Sequence, residues 1–163
     1  MAWPVTCPGH SKGVVELSYS ATTTDGIFLA AACLDKDSLL RDAGTGDWIG
    51  SFRGHKGAVW STKLNASATL AFTGSGDWSA RVWDAVSGAE LASMDHPHVV
   101  KSVDITADDR WLATGCQDRR LRIFHISHDD ALGGCLAALV ATAEHPKPVR
   151  RVAWSTDGRT VYT

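Results

Sequence analysis

Runs of four to seven apolar or β-branched residues recur along the chain, divided by short segments rich in Gly, Asn, Ser and Asp. Between residues 54 and 94 the runs are Ala58–Leu64, Thr69–Thr73, Ala80–Trp83 and Glu90–Met94. The dividers are Asn65-Ala-Ser, Gly74-Ser-Gly-Asp and Ser87-Gly. These lengths suit strands, and no run sustains a 3.6-residue period. The pattern predicts four short strands, a to d, joined by tight turns. Residues 95–143 copy the order as Val100–Ile105, Trp111–Thr114, Leu121–Ile126 and a last run near Leu136–Ala143. Their c–d connection, Ser127 to Gly134, is longer, and such insertions are expected in loops.

Self-similarity underlies the pattern. A histidine with valine four positions later stands at His10, His55, His96 and His145, at intervals of 45, 41 and 49 residues. An aspartate follows the first three at Asp35, Asp77 and Asp118, and six residues beyond it stand Arg41, Trp83 and Phe124. A period of roughly 40–45 residues with Gly-His early and Trp-Asp late is the signature of the WD40 blade, a four-stranded sheet set radially in a β-propeller. The clearest copy runs from Gly54-His-Lys-Gly-Ala-Val-Trp60 to Arg81-Val-Trp-Asp84. The expected fold is all-β, with blades at 9–53, 54–94 and 95–143 and the start of a fourth at 144–163. Residues 3–7 read as an outer strand of a closing blade, so the 163 residues amount to about three and a half blades of a propeller. Open edge strands and the apolar faces of end blades favour self-association.

His, Asp, a hydroxyl and an indole recurring together point to a buried polar network whose members satisfy one another's hydrogen bonds. His55, Thr73, Asp77 and Trp83 supply all four; the first repeat has Ala31 for the hydroxyl and Arg41 for the indole, and the third keeps Thr114 but has Phe124. The same residue types build nucleophile triads, which makes an enzyme or metal protein using His and Asp the reading of another class. Recurrence at the blade period favours structure, because a catalytic set is needed once and a structural one in every blade. Gly44-x-Gly46-x-x-x-Gly50 lacks phosphate-loop spacing and leads into no helix. His96-x-His98, and His125-x-x-His128 with Asp129 and Asp130, are metal ligands by type, but His96 and His125 already occupy repeat positions. No catalytic, cofactor-binding or metal-ligating set is expected. Cys33 and Cys116 stand where Ser75 does and read as small strand fillers.

Composition narrows the classes further. Sixteen Lys+Arg against 18 Asp+Glu give a net charge of −2, which argues against a strong polyanion binder. Two local basic clusters remain, Arg119, Arg120 and Arg122, then Lys147, Arg150 and Arg151, suited to an acidic partner, to RNA phosphate or simply to solvent. The four cysteines form no C-x-x-C pair and the first 25 residues lack a signal-peptide pattern, so a reduced intracellular compartment is expected. The longest nearly apolar stretch, Ala131 to Ala143, falls short of the roughly 18 residues a membrane span needs. Asn65-Ala-Ser67 is a glycosylation sequon expected to form the a–b turn.

The stretch Gly46-Asp-Trp-Ile-Gly-Ser-Phe-Arg-Gly-His-Lys-Gly-Ala-Val-Trp60, followed by Arg81-Val-Trp-Asp-Ala-Val-Ser-Gly88, resembles the serine-threonine kinase receptor-associated family of WD40 scaffolds. Gly9-His10, Leu40-Arg41, Val100-Lys-Ser-Val-Asp104 and Thr114-Gly-Cys-Gln-Asp118 extend the resemblance more loosely. It implies a non-enzymatic seven-bladed adaptor without cofactor, cytoplasmic and also nuclear, of which this chain has about half the length. The implied partners are proteins of a multi-subunit complex: the survival-of-motor-neuron complex in spliceosomal ribonucleoprotein assembly and mRNA splicing, or receptor kinase signalling. RNA is met only indirectly on this reading. The nearest alternative is a scaffold like subunit i of translation initiation factor three. The resemblance also implies partner-binding positions at the upper channel mouth, which here are Trp60, Lys101, Gln117 and Arg150. A tryptophan at such a place serves equally as a hot spot or as packing between blades.

Overall fold

The computed structural model describes residues 6–129 and 134–163, and every regular element among them is a β-strand. The first sheet holds β1 (Val14–Tyr19), β2 (Phe28–Cys33), β3 (Ser38–Asp42) and β4 (Trp48–Phe52). The second holds β5 (Val59–Leu64), β6 (Leu70–Ser75), β7 (Ser79–Asp84) and β8 (Glu90–Asp95). The third holds β9 (Val100–Ile105), β10 (Trp111–Cys116), β11 (Arg120–Asp129) and β12 (Gly134–Glu144). β13 (Ala153–Trp154) and β14 (Val161–Tyr162) pair as a final two-stranded piece. Each sheet is antiparallel with its strands in chain order, as expected of successive propeller blades. The outer strand expected at 3–7 lies largely outside the described residues, and Thr6 and Cys7 belong to no strand.

Of the connection expected as a loop at Ser127–Gly134, the described residues on either side of 130–133 are ladder, and 130–133 lie outside the described residues. Ser127 pairs with Leu136, His128 with Cys135 and Asp129 with Gly134. Continuing the ladder keeps the inserted backbone groups hydrogen-bonded, which a loop of the same length would leave to water. Ile126 and Cys135 are buried with Met94 and Phe124, anchoring the base of the lengthened hairpin.

The turns repeat as faithfully as the strands. After each b strand the turn aspartate accepts the N–H two residues on: Asp35 from Asp37 (3.3 Å), Asp77 from Ser79 (3.1 Å) and Asp118 from Arg120 (3.1 Å). That side-chain turn holds the intervening residue left-handed, at φ 84° for Lys36, 70° for Trp78 and 66° for Arg119.

Packing runs between sheets. Ala30, Leu40 and Phe52 of the first bury against Leu64, Ala71 and Trp83 of the second. Phe72, Val82 and Met94 bury against Val100, Val103, Leu112 and Phe124 of the third, and Ala113 and Leu121 bury against Val149 and Val152. The approach is close enough to demand glycine: a Cβ on Gly74 would lie 2.8 Å from Val100 Cγ1, and one on Gly115 2.8 Å from Val149 Cγ1. Leu17 and Tyr19, on the outer side of the first sheet, are exposed where their equivalents Thr62 and Leu64 are buried.

A hydrogen bond of one kind links each inner strand to the next. Glu16 Oε2 accepts from the Thr62 N–H (3.0 Å), Ser61 Oγ from Val103 (3.0 Å) and Ser102 Oγ from Val152 (3.1 Å). A second row links Ser18 to the Leu64 N–H (3.1 Å) and Asp104 to that of Trp154 (2.6 Å). Lys63, between those acceptors, has no acceptor atom and instead pairs with Asp104 at 3.9 Å. Ser61→Ala would leave the Val103 N–H buried and unpaired. It is expected to cost about 1–3 kcal/mol, read as a lower urea midpoint with unchanged slope.

Candidate functional site

The rim positions gain their geometry from a recurring irregularity in the inner strands. In the first sheet Val14 pairs with Cys33 and Glu16 with Ala32; in the second Val59 pairs with Ser75 and Ser61 with Gly74; in the third Val100 pairs with Cys116 and Ser102 with Gly115. Val15, Trp60 and Lys101 are thus the extra residues of three equivalent β-bulges, a device that re-aims a side chain out of the ladder. Lys101 Nζ sits 2.9 Å from the centroid of the half-buried Trp60 ring, a cation–π contact. Arg150, exposed at the same repeat position, is near enough that its charge, after burial, pushes the Lys101 amine below its ordinary range. The structure therefore brings Trp60 and Lys101 together, with Arg150 at the equivalent position ahead of the next inner strand. Gln117 joins that end of the third blade through its N–H to Val99 O (2.9 Å). Sequence reasoning missed Trp78 and weighed His98 only as a metal ligand by type. Trp78 is exposed on its left-handed turn, with the His98 ring centroid 6.0 Å from its own.

Beneath this rim lies the polar network, and the second blade holds the complete set. The Trp83 indole donates to Thr73 Oγ1 at 2.8 Å, and Thr73 Oγ1 lies 2.7 Å from His55 Nε2. His55 Nδ1 lies 2.9 Å from Asp77 Oδ2. One hydrogen-bond direction satisfies the chain: the Thr73 hydroxyl donates to Nε2 and Nδ1–H donates to the carboxylate. Burial, opposed by Asp77, pushes the His55 imidazole below its usual range, which keeps it neutral near pH 7. Burial pushes the Asp77 carboxyl up, but donors from Ser79, His55 and the Lys56 N–H outweigh it and hold the group well below the usual carboxylate range. Ser79 and Arg81 extend the set, with Ser79 Oγ 2.7 Å from Asp77 and Arg81 bridging to Glu90 at 2.7 Å.

The other two blades show what each missing member costs. His10 Nδ1 meets Asp35 at 3.1 Å, but its buried Nε2 has no partner, because Ala31 holds the register position of Thr73. Arg41 fills the indole place and donates to the Gly46 and Pro8 carbonyls. In the third blade His96 Nε2 meets Thr114 at 2.9 Å, yet Nδ1 turns to Met94 O at 2.9 Å instead of to Asp118. Asp118 is taken by Arg122, at 2.5 Å. The facing positions differ: Glu90 faces Trp83 and takes Arg81 at 2.7 Å while Arg81 stays 3.7 Å from Asp77, whereas Leu139 faces Phe124 and offers Arg122 no carboxylate.

The remaining candidates are occupied by structure. The Gly44 and Thr45 N–H groups already cap Asp42 Oδ1 at 2.8 and 2.9 Å, so that loop presents them to no phosphate. His98 Nδ1 accepts from the Val99 N–H, and His125 packs on Trp111 at 4.8 Å; the His128 side chain lies outside the described residues. His10, Cys33 and Asp35 place ligand-type atoms within 4.8 Å of one another. Burial raises the Cys33 thiol, which donates to Lys12 O at 3.1 Å, and the same positions in the second blade are His55, Ser75 and Asp77. The trio is the first blade's copy of the network.

Two expectations follow for stability. Asp77→Ala should cost about 1–3 kcal/mol by stranding His55 and Ser79, whereas Ala31→Thr, which offers His10 Nε2 a hydroxyl, should gain about 0.5–1.5 kcal/mol; denaturant melts of both variants read the opposite signs. With His55 and His96 both lowered, the unfolded chain binds more protons just below pH 6.5, so the melting temperature should fall as pH drops through that range. A second fall is expected below about pH 4, the unfolded carboxylate value, because the unfolded chain takes up protons there while Asp35 and Asp118, each near a pKa of about 2, stay ionised in the fold. Differential scanning calorimetry from pH 7 to pH 3 reads both, and a flat profile would contradict them.

Comparison with known proteins agrees with this geometry. The WD40 family profile, "WD domain, G-beta repeat", matches residues 46–84 and 88–125. Serine-threonine kinase receptor-associated protein of Gallus gallus is 46% identical over 158 residues, covering 97% of this chain and 43% of the relative. The Homo sapiens protein of that name is 52% identical over 128 residues, or 78% of this chain and 37% of the relative. Eukaryotic translation initiation factor 3 subunit I of Schizosaccharomyces pombe is 27% identical over 167 residues, 98% of this chain and 49% of that protein. The chain thus spans about half the length of these relatives or less. Its three blade-like sheets, their shared bulges and the matched repeats make it a WD40-repeat protein of the β-propeller fold, similar over most of its own length to serine-threonine kinase receptor-associated protein.

Proposed function

We propose that the chain is a non-enzymatic scaffold that offers Trp60, Lys101 and Arg150, with Gln117 beside them, to protein partners in a multi-subunit assembly. The observation that carries this is the bulge: Trp60 and Lys101 are lifted out of their ladders at the same end of successive inner strands and are stacked on one another. Trp and Arg are enriched at binding hot spots, and a polar rim supplies specificity. The saturated Thr73 and His55 support the non-enzymatic reading, since the hydroxyl proton and the ring nitrogens are already committed.

The likeness to serine-threonine kinase receptor-associated protein supports a role beside a receptor kinase, the association that its name states. On the resemblance we also propose a place in the survival-of-motor-neuron complex and spliceosomal ribonucleoprotein assembly, with RNA met indirectly and the protein in cytoplasm and nucleus. A scaffold of the translation initiation factor 3 subunit I kind is the second reading, favoured by coverage of nearly the whole chain but at 27% identity. Affinity capture with identification of the retained proteins separates the two by which subunits arrive. Trp60→Ala and Arg150→Glu are expected to weaken that capture with little change in melting temperature. A drop of many degrees for Trp60→Ala would place the ring in the core, and normal capture by both variants would move the site elsewhere.

A further inference from the structure

The structure treats the cations of the inner strands and their approaches differently. Lys63 pairs with Asp104, and Arg151 pairs with the buried Glu16 carboxylate. Lys101 and Arg150 meet no carboxylate within salt-bridge distance among the described residues. At that end Asp77 is held by His55, Ser79 and the Lys56 N–H, and Asp118 by Arg122 and the Arg120 N–H. Lys101, over the indole, and Arg150, at the equivalent position ahead of the next inner strand, are thus two like charges at one end of adjacent blades, an arrangement that an anionic ligand relieves. An aromatic shelf adjoins them. Gly76, in the turn before Trp78, approaches the Trp60 indole nitrogen so closely that a Cβ there would lie 3.4 Å from it, and Trp78 itself is exposed against His98.

We propose that this rim selects an acidic segment of a protein partner, seating carboxylates on Lys101 and Arg150 and an aromatic side chain of the segment against Trp78. The inference rests on the scaffold reading above and adds the chemistry of what is bound. A peptide fits better than a nucleic acid. Phosphate backbones are held by a strong positive field, whereas this chain carries a net charge of −2.

The test is fluorescence anisotropy on the 163-residue chain with three labelled probes: an octapeptide alternating Glu-Asp with Phe, its Gln-Asn counterpart, and an oligouridylate of similar length. The acidic peptide should bind about tenfold more tightly than the neutral one and should weaken as salt is raised. Lys101→Met, which keeps an apolar stem over Trp60, and Arg150→Gln should each weaken it about fivefold or more by loss of a charge contact. Arg159→Gln, an exposed cation in the turn at the opposite end of the fourth blade, should leave it unchanged. Equal binding of the neutral peptide, equal loss with Arg159→Gln, or preference for the oligouridylate would each overturn the inference. Should a rim variant fail to fold, the neutral probe and the salt series on the wild-type chain still decide it. Partner capture that depends on Trp60 and Arg150 without any preference for the acidic probe would leave the scaffold reading standing and remove this one.

Discussion

The structure depends on burial between sheets. A four-stranded blade has two apolar faces, and Phe72, Val82 and Met94 on one face of the second blade leave the solvent only because Val100, Val103 and Leu112 arrive from the third. The side chains of Glu16, Ser61 and Ser102 then fix the register by accepting backbone N–H groups of the next inner strand. Such bonds are worth little where water competes and more where, as here, the groups are buried. Glycine at 74 and 115 lets the valines of the following blade come close enough for this to happen. Stability is thereby built as a sum of neighbour contacts, the behaviour of repeat proteins generally.

Within each blade the polar network trades against local substitutions. The second blade has every member and all atoms satisfied, the first leaves a buried imidazole nitrogen orphaned beside Ala31, and the third re-partners both its histidine and its aspartate. In all three the aspartate keeps its turn bond to the N–H two residues on. The turn is therefore the constant part of the motif, and the His–Asp contact is the part that neighbours can displace. Arg122 meets Asp118 at 2.5 Å, whereas Arg81 is shared between Glu90 at 2.7 Å and Asp77 at 3.7 Å and leaves the His55 contact in place.

The same architecture accounts for the rim. Bulges at Val15, Trp60 and Lys101 recur because each inner strand bends at the same register position, and each bend removes one side chain from the ladder. What emerges is set by the residue the sequence puts there: valine in the first blade, an indole in the second, a lysine in the third. Stacking the last two is a consequence of blade adjacency, since 41 residues separate Trp60 from Lys101 along the chain.

The repeat spacing of His10, His55, His96 and His145 and the lengths of the apolar runs were enough to determine an all-β chain of WD40 blades, and phrases such as Gly46-Asp-Trp-Ile-Gly were enough to point to its relatives. Local rules suffice there because turns and strand lengths are encoded over a few residues. The membership of the second network was also legible, each residue type standing at its blade position. Three features were not. The lengthened β11–β12 hairpin reads as a loop because cross-strand pairing leaves no local signature in so mixed a segment. The third blade's exchange of partners, His96 to Met94 O and Asp118 to Arg122, is a matter of which groups the sheet brings into reach. The pairing of Lys63 and Arg151, against the unpaired Lys101 and Arg150, is decided by which carboxylates neighbouring strands carry into reach, and only the assembled sheets bring those charges together.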